Sequence, residues 1–136
     1  MFEILEHTAD IGFRARARSL PELFESAAAA LVAMCMETAG IQPRKEYALG
    51  SEGDSHESLL VNWLNDVLYR VDGERLALRD FQVADITPQR VRGTAWGEPR
   101  HAQRHPPKLI VKGVTYHQLR ISDDKEGWFC EVYLDI

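Results

Sequence analysis

Two helical stripes followed by a long strand-like run predict an α+β chain of two layers, with two helices packed on a mostly antiparallel sheet. The first stripe is Leu20, Leu23, Phe24, Ala27, Leu31, Met34 and Cys35, and the second is Leu59, Leu60, Trp63, Leu64, Val67 and Leu68. The third observation is a pair of segments, 75–86 and 89–98, separated by Thr87-Pro88, which reads as a long hairpin. At 136 residues and 45% hydrophobic content the chain suits one domain, residues 1–136. That length buries roughly two-thirds of the unfolded surface without disulfides or metal staples.

Residues 2–6 are a short apolar stretch. From Ile11 the odd positions Ile11, Phe13, Ala15 and Ala17 are apolar while Gly12, Arg14, Arg16 and Arg18 are not, which is the period of a half-buried strand. Ser19-Leu20-Pro21-Glu22 then supplies a cap and a carboxylate able to reach back to it, so a helix should begin here and run to about Glu37, with Gly40 just beyond. A strand through Tyr47 and Leu49 follows. Gly53-Asp54-Ser55 opens the second helix, which stops at Gly73. After the hairpin, the polar and Pro-bearing stretch from Glu98 to Lys108 reads as an exposed loop. Strands are expected near Leu109 to Val111, Tyr116 to Ser122 and Gly127 to Ile136, with Asp123-Asp124-Lys125-Glu126-Gly127 turning between the last two.

Composition removes several classes of function. A net charge of −5 argues against a protein that coats nucleic acid through its overall field. The longest apolar run, around Ala27 to Met36, falls far short of the roughly 20 residues that span a bilayer. With two cysteines, Cys35 in a helical stripe and Cys130 in a strand pattern, and no signal peptide ahead of Phe2, the expectation is reduced core thiols in a cytoplasmic protein. Glycine-rich phosphate loops, Gly-x-Ser-x-Gly elbows and Cys-x-x-Cys pairs are all absent from the sequence.

Three stretches carry what chemistry remains. In His7-Thr8-Ala9-Asp10-Ile11-Gly12 the polar side chains either make turn hydrogen bonds or act as ligands, and spacing leaves both open. In Lys112-Gly113-Val114-Thr115-Tyr116-His117 the lysine is either a snorkelling edge residue or a functional amine. Alternation places His117 on a face with Leu119 and Ile121, so it reads as a hydrogen-bonded core histidine. The chain closes on Glu131-Val132-Tyr133-Leu134-Asp135-Ile136, with Val132, Leu134 and Ile136 on an anchoring apolar face and Glu131, Tyr133 and Asp135 on the other. The Asp135 side chain and the terminal carboxylate of Ile136 repel each other unless a cation sits between them. Hard oxygen donors of this kind suit Ca²⁺, Mg²⁺ or Mn²⁺ better than zinc.

The segments "HTADIGFRARARSLPELFESAA", "VKGVTYHQLRI" and "GWFCEVYLDI" occur in the order of the hallmark segments of one family, and over essentially the whole chain the sequence resembles archease. The resemblance implies a small non-enzymatic protein cofactor of the RtcB-type RNA ligase. It would promote attachment of GMP from GTP to the ligase's histidine and support repeated turnover in tRNA splicing and RNA repair, meeting RNA only through the ligase. It also implies a divalent metal ion, Ca²⁺ foremost, held by Asp10, Asp135 and the terminal carboxylate of Ile136. Lys112 matches the family's lysine, although Gly113 stands where "KAVTYH" has alanine. No catalytic residue is expected in the chain itself.

Three readings from other classes compete. A metal-dependent hydrolase would use the same carboxylates to activate water. A general chaperone would need an exposed apolar patch, whereas the stripes consume the apolar residues. Direct RNA binding would lean on Arg14, Arg16, Arg18, Arg90 and Arg92, which a solvated strand face explains equally well.

Overall fold

The computed structural model describes residues 1–6 and 11–136. His7, Thr8 and Asp10, three of the residues singled out above, therefore lie outside the described residues. The chain order is β1 (Phe2–Glu6), β2 (Ile11–Ala17), α1 (Leu20–Cys35), β3 (Lys45–Glu52), α2 (His56–Leu68), a π-helical turn (Tyr69–Gly73), β4 (Leu76–Thr87), β5 (Arg90–Pro99), β6 (Gly113–Val114), β7 (Arg120–Asp124) and β8 (Gly127–Asp135). The expected α+β class of two helices on antiparallel strands is present, but the strands form two sheets where one was expected. A five-stranded sheet runs β1-β2-β8-β6 with β7 also paired to β8, and a three-stranded sheet runs β3-β5-β4. Among the described residues every strand pairing is antiparallel.

The helix stripes become the core. Leu23, Phe24, Ala27, Leu31, Met34 and Cys35 of α1 are buried, as are Leu59, Leu60, Trp63, Leu64, Val67 and Leu68 of α2. The Trp63 Nε1–H donates to the Phe24 carbonyl at 3.0 Å, so the indole can be buried without orphaning its one donor. Ser19 caps α1 by accepting from the Glu22 N–H at 3.3 Å. Ser55 and Ser58 form a reciprocal capping box on α2. Both cysteines are free and buried, and burial pushes the Cys35 thiol up to about 11 and Cys130 to about 12. They are inert core thiols.

Four expectations fail on the C-terminal side of the hairpin. No strand forms at Leu109 to Val111, because that backbone is committed to the end of α1. The Lys108 and Leu109 N–H groups donate to the Cys35 and Met34 carbonyls at 2.9 and 3.1 Å, satisfying acceptors that a helix end leaves open. The strand expected from Tyr116 begins only at Arg120, since a turn closed by the Leu119 N–H on the Tyr116 carbonyl (3.1 Å) puts Gln118 at φ 52°. His117 lies in that turn and is exposed, so it is not a core histidine. In β8 the simple alternation also breaks, because Glu131 and Tyr133 are buried along with Val132 and Leu134, whereas Ile136 is 53% exposed and does not anchor the strand.

The stretch from Glu98 to Lys108 is mostly exposed as expected, but two of its residues are buried. His105 is fully buried, and Glu98 is only 2% exposed. Glu98 accepts from the Gln42 N–H at 2.8 Å, from Arg104 at 2.7 Å and from His105 Nε2 at 2.9 Å. The His101 N–H donates to His105 Nδ1 at 2.9 Å, which leaves the ring proton on Nε2, pointing at the carboxylate. This clamp fixes the path of the chain into the segment that carries Lys112.

Candidate functional site

Strand β8 is central to the five-stranded sheet, and at its end the segments of Lys112 and Asp135 come together. Gly113 pairs with Asp135 and Val114 with Leu134, and the Lys112 N–H donates to the Asp135 carbonyl at 2.7 Å. The backbone thus brings together Lys112 and Asp135, which are far apart in sequence. Both side chains are exposed. Among the described residues no side chain lies within ion-pairing distance of either the Lys112 ammonium or the Asp135 carboxylate.

On the other side of β8, Ile11 stands opposite Leu134. Ile11 follows Asp10 in sequence, and Leu134 precedes Asp135. Gly12 stands opposite Tyr133, and a side chain at Gly12 would run into the Val132 carbonyl and the Tyr133 ring, so the close approach of β2 to β8 requires glycine here.

Asn65 of α2 was not legible as a site residue. Its Oδ1 accepts from the Val114 N–H at 3.0 Å and its Nδ2 donates to the Val114 carbonyl at 3.4 Å, so one amide holds the short strand after Lys112 against the helix. The only sequence signal is a polar side chain bordering an apolar helical stripe.

The face of β8 that carries Asp135 also carries Tyr133 and Glu131. Tyr133 donates its hydroxyl to Glu131 at 3.1 Å, and Arg14 donates to the other oxygen of Glu131 at 2.7 Å. The His117 ring meets Tyr133 edge-on, with centroids 6.4 Å apart. Burial alone would push the Glu131 carboxyl up, but the hydrogen bonds from Arg14 and Tyr133, with the charges of Arg14 and Arg120, outweigh it and hold it below the ordinary range. Arg14 is correspondingly raised, chiefly by its hydrogen bond to Glu131. Arg90 pairs with Asp85 at 3.5 Å. Two of the five arginines considered for RNA contact are therefore held by carboxylates of the chain.

Asp135 offers a hard oxygen donor and Lys112 an ammonium, on two segments joined by a backbone hydrogen bond at the sheet end. Among the described residues no three His, Cys, Asp or Glu side chains converge on a common point. The implied ligand set differs from such a cluster, since it draws on Asp10, outside the described residues, and on a main-chain carboxylate. Of that set the described residues include the Asp135 carboxylate, a hard oxygen donor of the kind that suits a divalent ion, in no ion pair with a described side chain. Lys112 and Asp135 both lie at an exposed sheet end. The described chain is a two-layer α+β protein with charged groups at an exposed sheet end.

The model of the Archease protein family (MTH1598/TM1083) matches residues 2–136. The chain is 35% identical over 136 residues to the protein archease of Sulfolobus acidocaldarius, covering 99% of this chain and 98% of that one. It is 37% identical over 139 residues to that of Pyrococcus furiosus, with 99% and 98% covered. The solution structure of Methanobacterium thermoautotrophicum protein 1598 superposes with a TM-score of 0.83 at 30% identity, over 99% of this chain and 98% of that one. The crystal structure of an archease from Thermotoga maritima, described as a possible chaperone, shares the fold with a TM-score of 0.66 at 20% identity, over 97% and 94%. The chain belongs to the archease protein family. Among the described residues no helix is long and apolar enough to cross a membrane.

Proposed function

We propose that this chain is a non-enzymatic activator of an RtcB-type RNA ligase, presenting a divalent cation and an ammonium group to the ligase so that GTP-dependent guanylylation proceeds. Asp10, Asp135 and the Ile136 α-carboxylate would hold the ion, with Ca²⁺ favoured and Mg²⁺ or Mn²⁺ also matched by the donor chemistry. The bound ion supplies positive charge for anionic oxygens of the ligase's nucleotide. Lys112 adds a second cation beside it, held in place by its own backbone bond to Asp135 and by the grip of Asn65 on Val114. Such preorganised charges favour development of negative charge on a transferring phosphoryl group.

The observation that supports this reading is the backbone hydrogen bond from the Lys112 N–H to the Asp135 carbonyl at the end of β8, with both residues exposed and neither side chain in an ion pair with a described residue. A hydrolase working alone would need a pocket around these groups. Among the described residues, a pocket of about 260 Å³ includes Lys112 but not Asp135. The test is formation of guanylylated ligase from GTP, with the ligase of the same organism and each divalent metal in turn. Acceleration by substoichiometric amounts of this chain is expected. Equal rates with and without it, under every metal, would defeat the proposal.

A further inference from the structure

Next to Lys112 a groove runs between the π-helical turn and the segment before β6. Two pockets of about 260 and 230 Å³ are contiguous there, sharing Leu68, Asp72 and Val111. Lys112 lines one end, and Arg75 and Arg100 line the other. Among the described residues none of these three cations has a carboxylate within 4.0 Å. Asp72 stands between them, so a groove on an acidic protein carries three positive groups to one negative. Arg75 has φ 57°, a left-handed conformation that glycine adopts without strain, yet the position holds an arginine. The Arg100 N–H donates to the Arg75 carbonyl at 2.8 Å, which makes the two arginines neighbours.

The groove is also flanked by apolar side chains that the fold does not use. Tyr69 is 62% exposed and Ile110 is 77% exposed. Large side chains left in water beside a cleft mark contact surfaces, and tyrosine is enriched among residues that dominate binding energy. Both residues lie outside the two buried helical stripes.

We infer that this groove docks an acidic segment of the ligase with an apolar anchor, its carboxylates meeting Arg75 and Arg100 and its apolar side chain packing beside Tyr69 and Ile110. This rests on the ligase reading above. Charge complementarity selects the occupant, because the unpaired cations ask for an anion, and the apolar floor of Leu68 and Val111 asks for a side chain rather than a bare phosphate. Docking there would bring Lys112 to its target, since the same groove ends at Lys112.

The test measures binding of the whole chain to the purified ligase by calorimetry, alongside guanylylation. Ile110→Asp and the double variant Arg75→Glu/Arg100→Glu should each weaken binding at least tenfold, with Tm close to that of the parent. The double variant should also lose the salt dependence of association. High concentrations of either should restore guanylylation, whereas Lys112→Ala should bind and fail to activate. If the parent activates the ligase but both groove variants bind with parental affinity, the groove is not the docking site and the activator reading stands. If the parent neither binds nor activates, both readings fall. Concentration-dependent dimers that Ile110→Asp dissolves would assign the groove to a second copy of the chain and overturn the inference.

Discussion

Glu131 and Asp135 share one face of β8 and are used in opposite ways. Glu131 is buried and meets both Arg14 and Tyr133, and Glu98, on the other sheet, is enclosed by Arg104, His105 and the Gln42 N–H. Asp135 is exposed beside Lys112, and no described side chain pairs with it. A carboxylate removed from water must be satisfied within the protein, or its desolvation destabilises the fold. A carboxylate left in water has its charge available to an external partner. The contrast separates charged residues that hold the chain from charged residues left available to a partner.

The contrast breaks most visibly at the two histidines. His105 is fully buried with both ring nitrogens hydrogen-bonded, so His105→Ala should cost about 2 to 4 kcal/mol in denaturant unfolding, from the cavity and the unpaired partners together. His117→Ala, in an exposed turn, should cost far less. Equal losses would mean that exposure does not track structural weight in this protein.

The chain end should respond in binding and not in folding. Asp135→Asn, or a short carboxyl-terminal extension that turns the Ile136 carboxylate into an amide, should weaken Ca²⁺ or Mn²⁺ binding by one to two powers of ten, roughly 1.4 to 2.8 kcal/mol. Calorimetric titration reads this directly, and unfolding should be unchanged. A tagged chain that binds metal as well as the native-ended one would remove the terminus from the ligand set.

The response to acid sharpens the other half. The hydrogen bonds from Arg104 and Gln42 hold Glu98 at about 2, against an ordinary 4.5. A depressed folded value means that its contribution is fully present above about pH 4.5 and is lost as pH falls through about 2. Unfolding measured across that window should flatten in Glu98→Gln. An unchanged slope would show that Glu98 is not the group being titrated.

The helices and the hairpin were legible because burial imposes a period on sequence, as the stripes ending in Cys35 and Leu68 show. The clamp was not legible, since Glu98, Arg104 and His105 sit in a polar, proline-bearing stretch whose composition suits solvent, and only the tertiary meeting with Gln42 reveals the burial. His117 was misread because alternation presumes a strand, and the left-handed backbone at Gln118 interrupts one. Of the candidate site, Lys112 and Asp135 stood out in the residue pattern and took their roles from the resemblance, and their meeting at β8 was beyond the reach of spacing. Asn65 carried no signal, because its role depends on where Val114 lies.

The smallest stability effect belongs to Lys112. An exposed Lys→Ala change moves stability by about 0.5 kcal/mol or less. Its effect on a partner should be large, and the most direct measurement is therefore single-turnover guanylylation of the ligase, with Lys112→Ala and His105→Ala compared at equal concentrations of folded protein. The division of charges predicts that Lys112→Ala, though stably folded, loses at least a tenfold share of the acceleration, while folded His105→Ala retains it. Full acceleration by Lys112→Ala would contradict the account.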